Sequence, residues 1–182
     1  MNCKQISWSN REAYELTAGS YGAMVVPSLG ANVLRLWYDH NGQHFEVLRT
    51  PANAETLLND PFAYGIPILF PANRIADGFF EWEGIRYEFP QNFPNGVHIH
   101  GMLHNHPWIV KRYWADEKGA HVSLEFNMLS DEKLKLSFPL DIFIYLELGL
   151  SEKGLVHFHF QRNCWRRKIS KFPLKLGNFE CN

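Results

Sequence analysis

The chain has 182 residues, of which 46% are hydrophobic and 20% charged, so it can bury a core and is not a disordered segment. Its 18 lysines and arginines are balanced by 19 acidic residues, which argues against a dedicated nucleic-acid binder. No run of about 18 apolar residues occurs, which argues against a transmembrane helix and hence against a membrane partner.

The cysteines and the first residues bear on the cellular compartment. Cys3, Cys164 and Cys181 are scattered without a CxxC motif, and the start of the chain lacks the apolar stretch of a signal peptide. Scattered thiols fit a reducing compartment better than a disulfide framework. We therefore expect a cytoplasmic protein.

Short strands separated by turn signals are predicted along most of the chain. Polar and apolar residues alternate in several of them, which is typical of half-buried antiparallel strands. The strongest hairpin signal is Asn41-Gly42, and the only helix expected is a turn or two near Ala54–Leu58 with Asn53 as its N-cap. This pattern predicts an all-β sandwich or barrel. The predicted strands are Val33–Tyr38, His44–Leu48, Phe79–Trp82, Ile85–Phe89, Trp108–Trp114, Ala120–Met128, Ile142–Leu148 and Leu155–Phe160.

Two polar residues follow a short apolar strand in the middle of the chain. Prolines bracket this strand at Pro67–Pro71, which predicts a strand that lies at the edge of a sheet or ends abruptly. Asn73 and Arg74 come next, and an amide beside a guanidinium can bind the vicinal hydroxyls of a sugar. The alternative is structural, with Asn73 capping a turn and Arg74 paired to Asp77 or Glu81.

Four histidines lie between residues 98 and 106, and two of them form an HxH pattern. On a strand, His98 and His100 would point to the same face and could offer two nitrogens to a metal, as in a cupin-like barrel. That pattern also calls for an acidic residue shortly afterwards, and residues 101–108 contain none. The other interpretations are acid–base chemistry by one histidine, or partly exposed loop histidines with no such role.

Aromatic residues flank these polar groups in sequence. A sugar has an apolar C–H face, so a sugar site pairs an aromatic wall with a few fixed hydrogen-bonding groups. The alternative is that these rings are ordinary core residues of a β-sandwich. No nucleophile elbow, P-loop or dinucleotide motif is present in the sequence. The aromatic candidates are Trp82, Tyr87, Phe89, Phe93 and Trp108.

Taken in order, these motifs resemble the aldose 1-epimerase (galactose mutarotase) family, over about residues 20 to 160. The resemblance implies an antiparallel β-sandwich of the mutarotase-like, galactose-binding type. It rests on Pro27-Ser28-Leu29-Gly30-Ala31, Glu46-Val47-Leu48-Arg49, Gly65-Ile66-Pro67-Ile68-Leu69-Phe70-Pro71, Asn73-Arg74-Ile75, Asp77-Gly78-Phe79, Gly84 with Tyr87, His100-Gly101 and Pro107-Trp108.

The resemblance also implies a reaction and a set of site residues. Asn73, Arg74 and His100 match the family's sugar-contacting residues, and His100 is the matched catalytic candidate. The family interconverts the α and β anomers of a hexose by acid–base opening of the ring, which needs no metal and no organic cofactor. The resemblance therefore implies a hexose ligand, similar to glucose or galactose.

The sequence departs from the family near its end. Phe172–Gly177 looks like the approach to the family's second histidine, but that histidine and the family's glutamate base have no counterpart here. We therefore expect residues 1–182 to form a single, truncated domain and an incomplete sandwich, with 162–182 as a basic, atypical tail. Unpaired strand edges in such a piece would favour self-association. A non-catalytic carbohydrate-binding module is the alternative function, and a cupin-like metal protein a further one.

Overall fold

Two antiparallel sheets packed face to face make up most of the protein. The computed structural model describes residues 1–138, 141–154 and 156–164, the last of these by backbone alone. The inner faces of the two sheets share one hydrophobic core, which confirms the predicted all-β sandwich. The basic tail and the Phe172–Gly177 motif lie outside the described residues, apart from the backbone of residues 162–164.

The first sheet is a five-stranded meander in which each strand pairs with the next along the chain. The predicted hairpin at Asn41-Gly42 is confirmed, since both residues have positive φ and His40 pairs with Gln43 across the turn. The first three strands are absent from the prediction. The third of them is buried along nearly its whole length and so lacks alternation. The strands are β1 (Asn2–Trp8), β2 (Arg11–Ala18), β3 (Tyr21–Val26), β4 (Asn32–His40) and β5 (Gln43–Glu46).

Two ribbons of two strands each lie between the sheets in sequence. In the first, β6 (Arg74–Ile75) pairs with β9 (His98–Ile99), although 22 residues separate them. In the second, β7 (Phe79–Trp82) pairs with β8 (Ile85–Glu88) across a turn at Glu83-Gly84, between two of the predicted strands. The β7–β8 hairpin follows from local sequence, whereas the β6–β9 pair requires the rest of the fold.

The second large sheet contains the four remaining strands in chain order. Its strand β11 shows the predicted alternation, because every second side chain from Ala120 to Phe126 is buried. The turn before β11 is held by Asp116, whose Oδ1 accepts hydrogen bonds from the amides of Lys118 and Gly119. The strands are β10 (Ile109–Asp116), β11 (Gly119–Asn127), β12 (Ile142–Leu150) and β13 (Val156–Cys164).

The strand predicted at Pro67–Pro71 is wrong. Instead of joining a ladder, this stretch has one isolated bridge between Phe70 and Gly101, just after another between Ile66 and Val33. A proline has no amide hydrogen, so two prolines four positions apart leave too few donors for a continuous strand. The bridge to Gly101 nevertheless places this segment beside the histidine-rich loop.

Two short α-helices occur among the described residues, and neither is long and apolar enough to cross a membrane. Helix α1 (Ala54–Asn59) and its predicted cap are confirmed, because Asn53 Oδ1 accepts the amide of Thr56 at 2.9 Å. Helix α2 (Glu132–Ser137) contradicts the expectation of a single helix. Its Lys-Leu-Lys-Leu sequence alternates like a strand, but Asp131 caps the first turn through the amides of Lys133 and Leu134.

The core also anchors the loops that carry the polar motif residues. Phe70 precedes the Asn73-Arg74 pair, and Met102, Leu103 and Trp108 follow His100; all four side chains are buried in the cluster that joins the two sheets. Burial of a large apolar side chain contributes about 1.5–3 kcal/mol, so these loops are fixed to the sandwich and not free at its surface.

The two leucines of α2 provide a matched test of the helix. Leu134 is fully buried and Leu136 is 80% exposed, as a helix and not a strand would place them. We expect Leu134→Ala to lower the free energy of unfolding by about 2–5 kcal/mol. Leu136→Ala should change it by less than about 0.5 kcal/mol. Urea denaturation of both variants checks this, and equal losses would contradict the helix.

Candidate functional site

The β6–β9 ribbon brings together the residues singled out by sequence. Arg74 pairs with Ile99 and Ile75 with His98, and the His100 amide donates to the Asn73 carbonyl at 2.9 Å. Asn73, Arg74 and His100 are therefore neighbours, although 25 residues lie between the last two. This juxtaposition is the geometry that a shared binding site requires.

Both Asn73 and His100 adopt left-handed backbone conformations, with φ of 75° and 64°. Asparagine visits this region readily, whereas for histidine it costs about 1–2 kcal/mol relative to the usual conformations. Such strain persists only where the surroundings fix the backbone. The turn at His100 ends β9 after Ile99 and redirects the chain toward Gly101.

Two contacts fix the backbone on either side of His100. The Asn92 side chain binds Ile99 twice, accepting its amide at 2.8 Å and donating to its carbonyl at 3.1 Å. On the other side, the Met102 amide donates to the Phe70 carbonyl at 3.0 Å. Gly101 lies so close to Phe70 that a Cβ at residue 101 would overlap the Phe70 carbonyl. Asn92 carries no motif that would have signalled this role.

Arg74 is exposed and lies over an aromatic ring. Its guanidinium carbon is 5.7 Å from the centre of the Phe93 ring, within the range of a cation–π contact. No ion pair joins Arg74 to Asp77 or Glu81, and Glu81 lies 3.8 Å from Arg86 instead. The alternative in which Arg74 forms an ion pair with Asp77 or Glu81 is therefore wrong.

The two HxH residues lie in different environments. His98 is buried, donates from Nδ1 to the Pro90 carbonyl at 2.7 Å and packs on Phe89, so it belongs to the interior. Burial lowers the pKa of His98. The left-handed turn at His100 breaks the strand alternation on which the same-face expectation depended. Among the described residues, no group of three or more potential ligands could hold a metal ion.

His100 and His104 both contact Phe62, which sequence reasoning missed. The Phe62 ring centre is 4.9 Å from that of His100 and 4.7 Å from that of His104. Burial, together with the nearby His106, His98 and His100, lowers the pKa of His104 to about 4. Phe62 lies in the loop after α1, 38 residues before His100, and no local pattern connects the two.

Most of the expected aromatic wall belongs to the core. Tyr87, Phe89 and Trp108 are buried among the sheets, and Trp82 is half-buried against the same cluster. Phe93 is 44% exposed and lies under Arg74, so it alone of the five stands beside an exposed site residue. Core packing is therefore the better explanation for the other rings.

Comparison with known families identifies the fold and the motif together. A family model described as aldose 1-epimerase matches residues 12–178, more than nine-tenths of the chain. The chain belongs to the aldose 1-epimerase family. The matched range includes Asn73, Arg74 and His100, and it confirms the resemblance seen in the sequence.

Solved structures agree with this assignment. A galactose mutarotase-like protein from Clostridium acetobutylicum is 33% identical over 84% of this chain and 46% of its own length, with a TM-score of 0.75. A galactose 1-epimerase from Lactobacillus acidophilus is 16% identical over 90% of this chain and 48% of its own, with a TM-score of 0.64. At that identity the likeness shows the fold alone. This aldose 1-epimerase family chain thus spans less than half the length of these relatives.

Gly101 tests whether the close approach to Phe70 is required. Gly84 is its matched control, because φ is positive at both residues, while an added Cβ at Gly84 meets nothing within 4 Å. Gly84→Ala should cost about 1 kcal/mol of stability from the backbone alone. Gly101→Ala should cost about 1–3 kcal/mol more, because the Cβ must displace the Phe70 carbonyl. Thermal and urea unfolding measure the difference, and equal costs would contradict it.

Burial of neutral His104 predicts that stability falls in mild acid. Its pKa is about 4 in the folded chain and 6.5 as the ordinary value, so between these pH values only the unfolded chain takes up the proton. Stability is therefore complete above about pH 6.5 and is lost progressively down to about pH 4, by about 1.4 kcal/mol per unit of pKa difference. His104→Gln should reduce the loss measured by urea denaturation between pH 7 and 5. Substitution of the exposed His40 by Gln should leave this loss of stability unchanged. A loss in His104→Gln as large as in the wild type would contradict the assignment of the pH dependence to His104.

Proposed function

We propose that this protein binds a hexose at Asn73, Arg74 and His100 and takes part in interconverting its anomers. The observation that carries the proposal is the β6–β9 pairing, which sets an exposed amide and guanidinium beside an imidazole. Amide and guanidinium groups donate to sugar oxygens, and an imidazole can exchange a proton near neutral pH. The exposed Phe93 under Arg74 adds an apolar surface next to these donors.

The chemistry assigned to the site is opening and closing of the sugar ring. A base removes the proton from the C1 hydroxyl while an acid protonates the ring oxygen, and the bond between C1 and that oxygen breaks. The open-chain aldehyde rotates about the C1–C2 bond and recloses by the reverse transfers. In this proposal His100 serves one of the two transfers through Nε2, because its Nδ1 is enclosed by protein without a hydrogen-bond partner among the described residues.

A second candidate function is hexose binding without turnover. Ring opening needs both an acid and a base, and among the described residues His100 is the histidine whose backbone contacts Asn73 directly. His98 is held in the interior by Pro90, so it does not supply the second group. This observation favours a carbohydrate-binding role in which Arg74 and Asn73 provide affinity.

Two further proposals come from sequence and concern location and assembly. A cytoplasmic location is supported by Cys3, which is a free thiol, as expected in a reducing compartment. Self-association is supported by the exposed edge strand β5, where Phe45 and the following Val47 are 40% and 59% exposed.

Sugar binding and turnover can be measured separately on the same variants. We expect Arg74→Ala and His100→Ala to weaken binding of glucose or galactose about tenfold or more, as loss of a buried or charged hydrogen bond does. Their matched controls are Arg112→Ala, which removes an exposed arginine lying over Trp114, and His40→Ala. Isothermal calorimetry measures affinity, and polarimetry of freshly dissolved α-glucose and α-galactose measures mutarotation.

The outcomes separate the two candidate functions. Binding with acceleration that disappears in His100→Ala supports anomer interconversion. Binding without acceleration supports the carbohydrate-binding role. Equal binding by Arg74→Ala, His100→Ala and the controls, or no binding by the folded wild type, would show that the proposed site is wrong.

A further inference from the structure

Phe62 makes aromatic contacts with two histidines of the candidate site at once. It meets His100 in an edge-on arrangement, with 67° between the ring planes, and His104 in a tilted one at 55°. Both centre-to-centre distances are below 5 Å, within the range in which aromatic rings attract each other. Only two torsion angles, χ1 and χ2, set the direction of a phenylalanine ring. A Phe62 ring held in one rotamer can therefore restrict the orientation of both imidazoles.

The loop that carries Phe62 is held by a local turn around the ring and by one contact with a buried residue of the sandwich. Directly after it, the Ala63 amide donates to the Asp60 carbonyl at 3.2 Å. Three residues further on, the Ile66 amide donates to Oδ1 of the buried Asn32 at 2.8 Å. A ring held by an anchored loop can position its neighbours, whereas a ring on a loose loop could not.

Phe62 also determines the polarity around the two imidazoles. A phenyl ring offers no hydrogen-bond donor or acceptor, and Nδ1 of His100 is enclosed without a partner among the described residues. His104 is largely buried, and the charged groups that face it are His98, His100 and His106. His106 in turn lies 3.5 Å from Asp131 at the start of α2. The low pKa of His104 is the expected result of removing water from such a group.

We propose that Phe62 is a positioning residue of the candidate site, whose ring orients the imidazole of His100 and keeps water away from His104. The importance of this residue for sugar binding or turnover rests on the proposed function. The effect of the ring on the two histidines does not. Orientation matters because a proton transfer requires the nitrogen within about 3 Å of the reacting oxygen, and a misplacement of about 1 Å is costly.

Histidine titration by NMR tests the proposal without any sugar. Long-range ¹H–¹⁵N spectra report the protonation and the tautomer of each imidazole, and His104→Gln and His100→Ala assign the signals. In the wild type, His104 should titrate at about pH 4. Phe62→Ala admits water to His104, so the titration midpoint of His104 should rise by about one pH unit or more. Phe62→Leu keeps an apolar cover but removes the ring. It should leave the His104 midpoint nearly unchanged and alter the His100 ¹⁵N shifts.

The control is Phe45→Ala, which removes an exposed ring on β5 and should change neither histidine. Urea unfolding shows whether each variant is folded, and Phe62→Leu decides the orientation of His100 if Phe62→Ala does not fold. Unchanged His104 titration in folded Phe62→Ala would overturn the exclusion of water. Unchanged His100 shifts in Phe62→Leu would overturn the orienting role.

Sugar measurements then separate this proposal from the proposed function. If hexose binds, Phe62→Leu should weaken binding or mutarotation about three- to tenfold, less than His100→Ala, because the imidazole remains but is misaligned. If Phe62→Leu left both the sugar affinity and the mutarotation rate unaltered, the orientation of His100 by Phe62 would have no effect on sugar binding or turnover, which would contradict this part of the proposal. Suppose that neither the wild type nor any variant binds sugar, but that the histidine signals change as expected. The proposed function then fails, while the effect of Phe62 on the two histidines stands.

Discussion

The candidate site depends on a pairing of only two residues from each strand, Arg74–Ile75 with His98–Ile99. A ladder this short cannot be stable by itself, so it exists because its flanks are fixed elsewhere. Asn92 holds Ile99 from one side, and the Phe70–Gly101 bridge holds the chain after His100. Without these supports, the amide, guanidinium and imidazole would belong to separate loops.

The supports trace back to the sandwich core. Phe70 and Phe89 both contact Phe138, which follows α2 and packs between the loops and the sheets. Leu103 and Trp108, from the other end of the histidine loop, are buried in the same cluster. Close-packed protein interiors transmit displacements instead of absorbing them. The geometry of the candidate site is therefore coupled to the packing of both sheets.

The histidines of one short segment have different environments and therefore different roles. His98 is an interior residue with a backbone partner, and His104 is kept neutral by burial. His100 follows the end of β9 in a strained backbone conformation, beside Asn73. Strain of this kind concentrates where a side chain must be presented in one direction. The fold thus separates one functional candidate from three chemically identical neighbours.

The sequence by itself determined the family, most of the sandwich strands from Val33 onward and the hairpin at Asn41-Gly42, and it singled out Asn73, Arg74 and His100, which the fold brings together. These follow from short-range turn chemistry, from period-two alternation and from an ordered set of motifs. Only the tertiary structure decided that Pro67–Pro71 is not a strand, that Lys133–Leu136 is helical, and that His98 is an interior residue bonded to Pro90. It also brought Asn92 and Phe62 to the site. Such contacts join segments distant along the chain, and packing overrides local pattern where the two conflict.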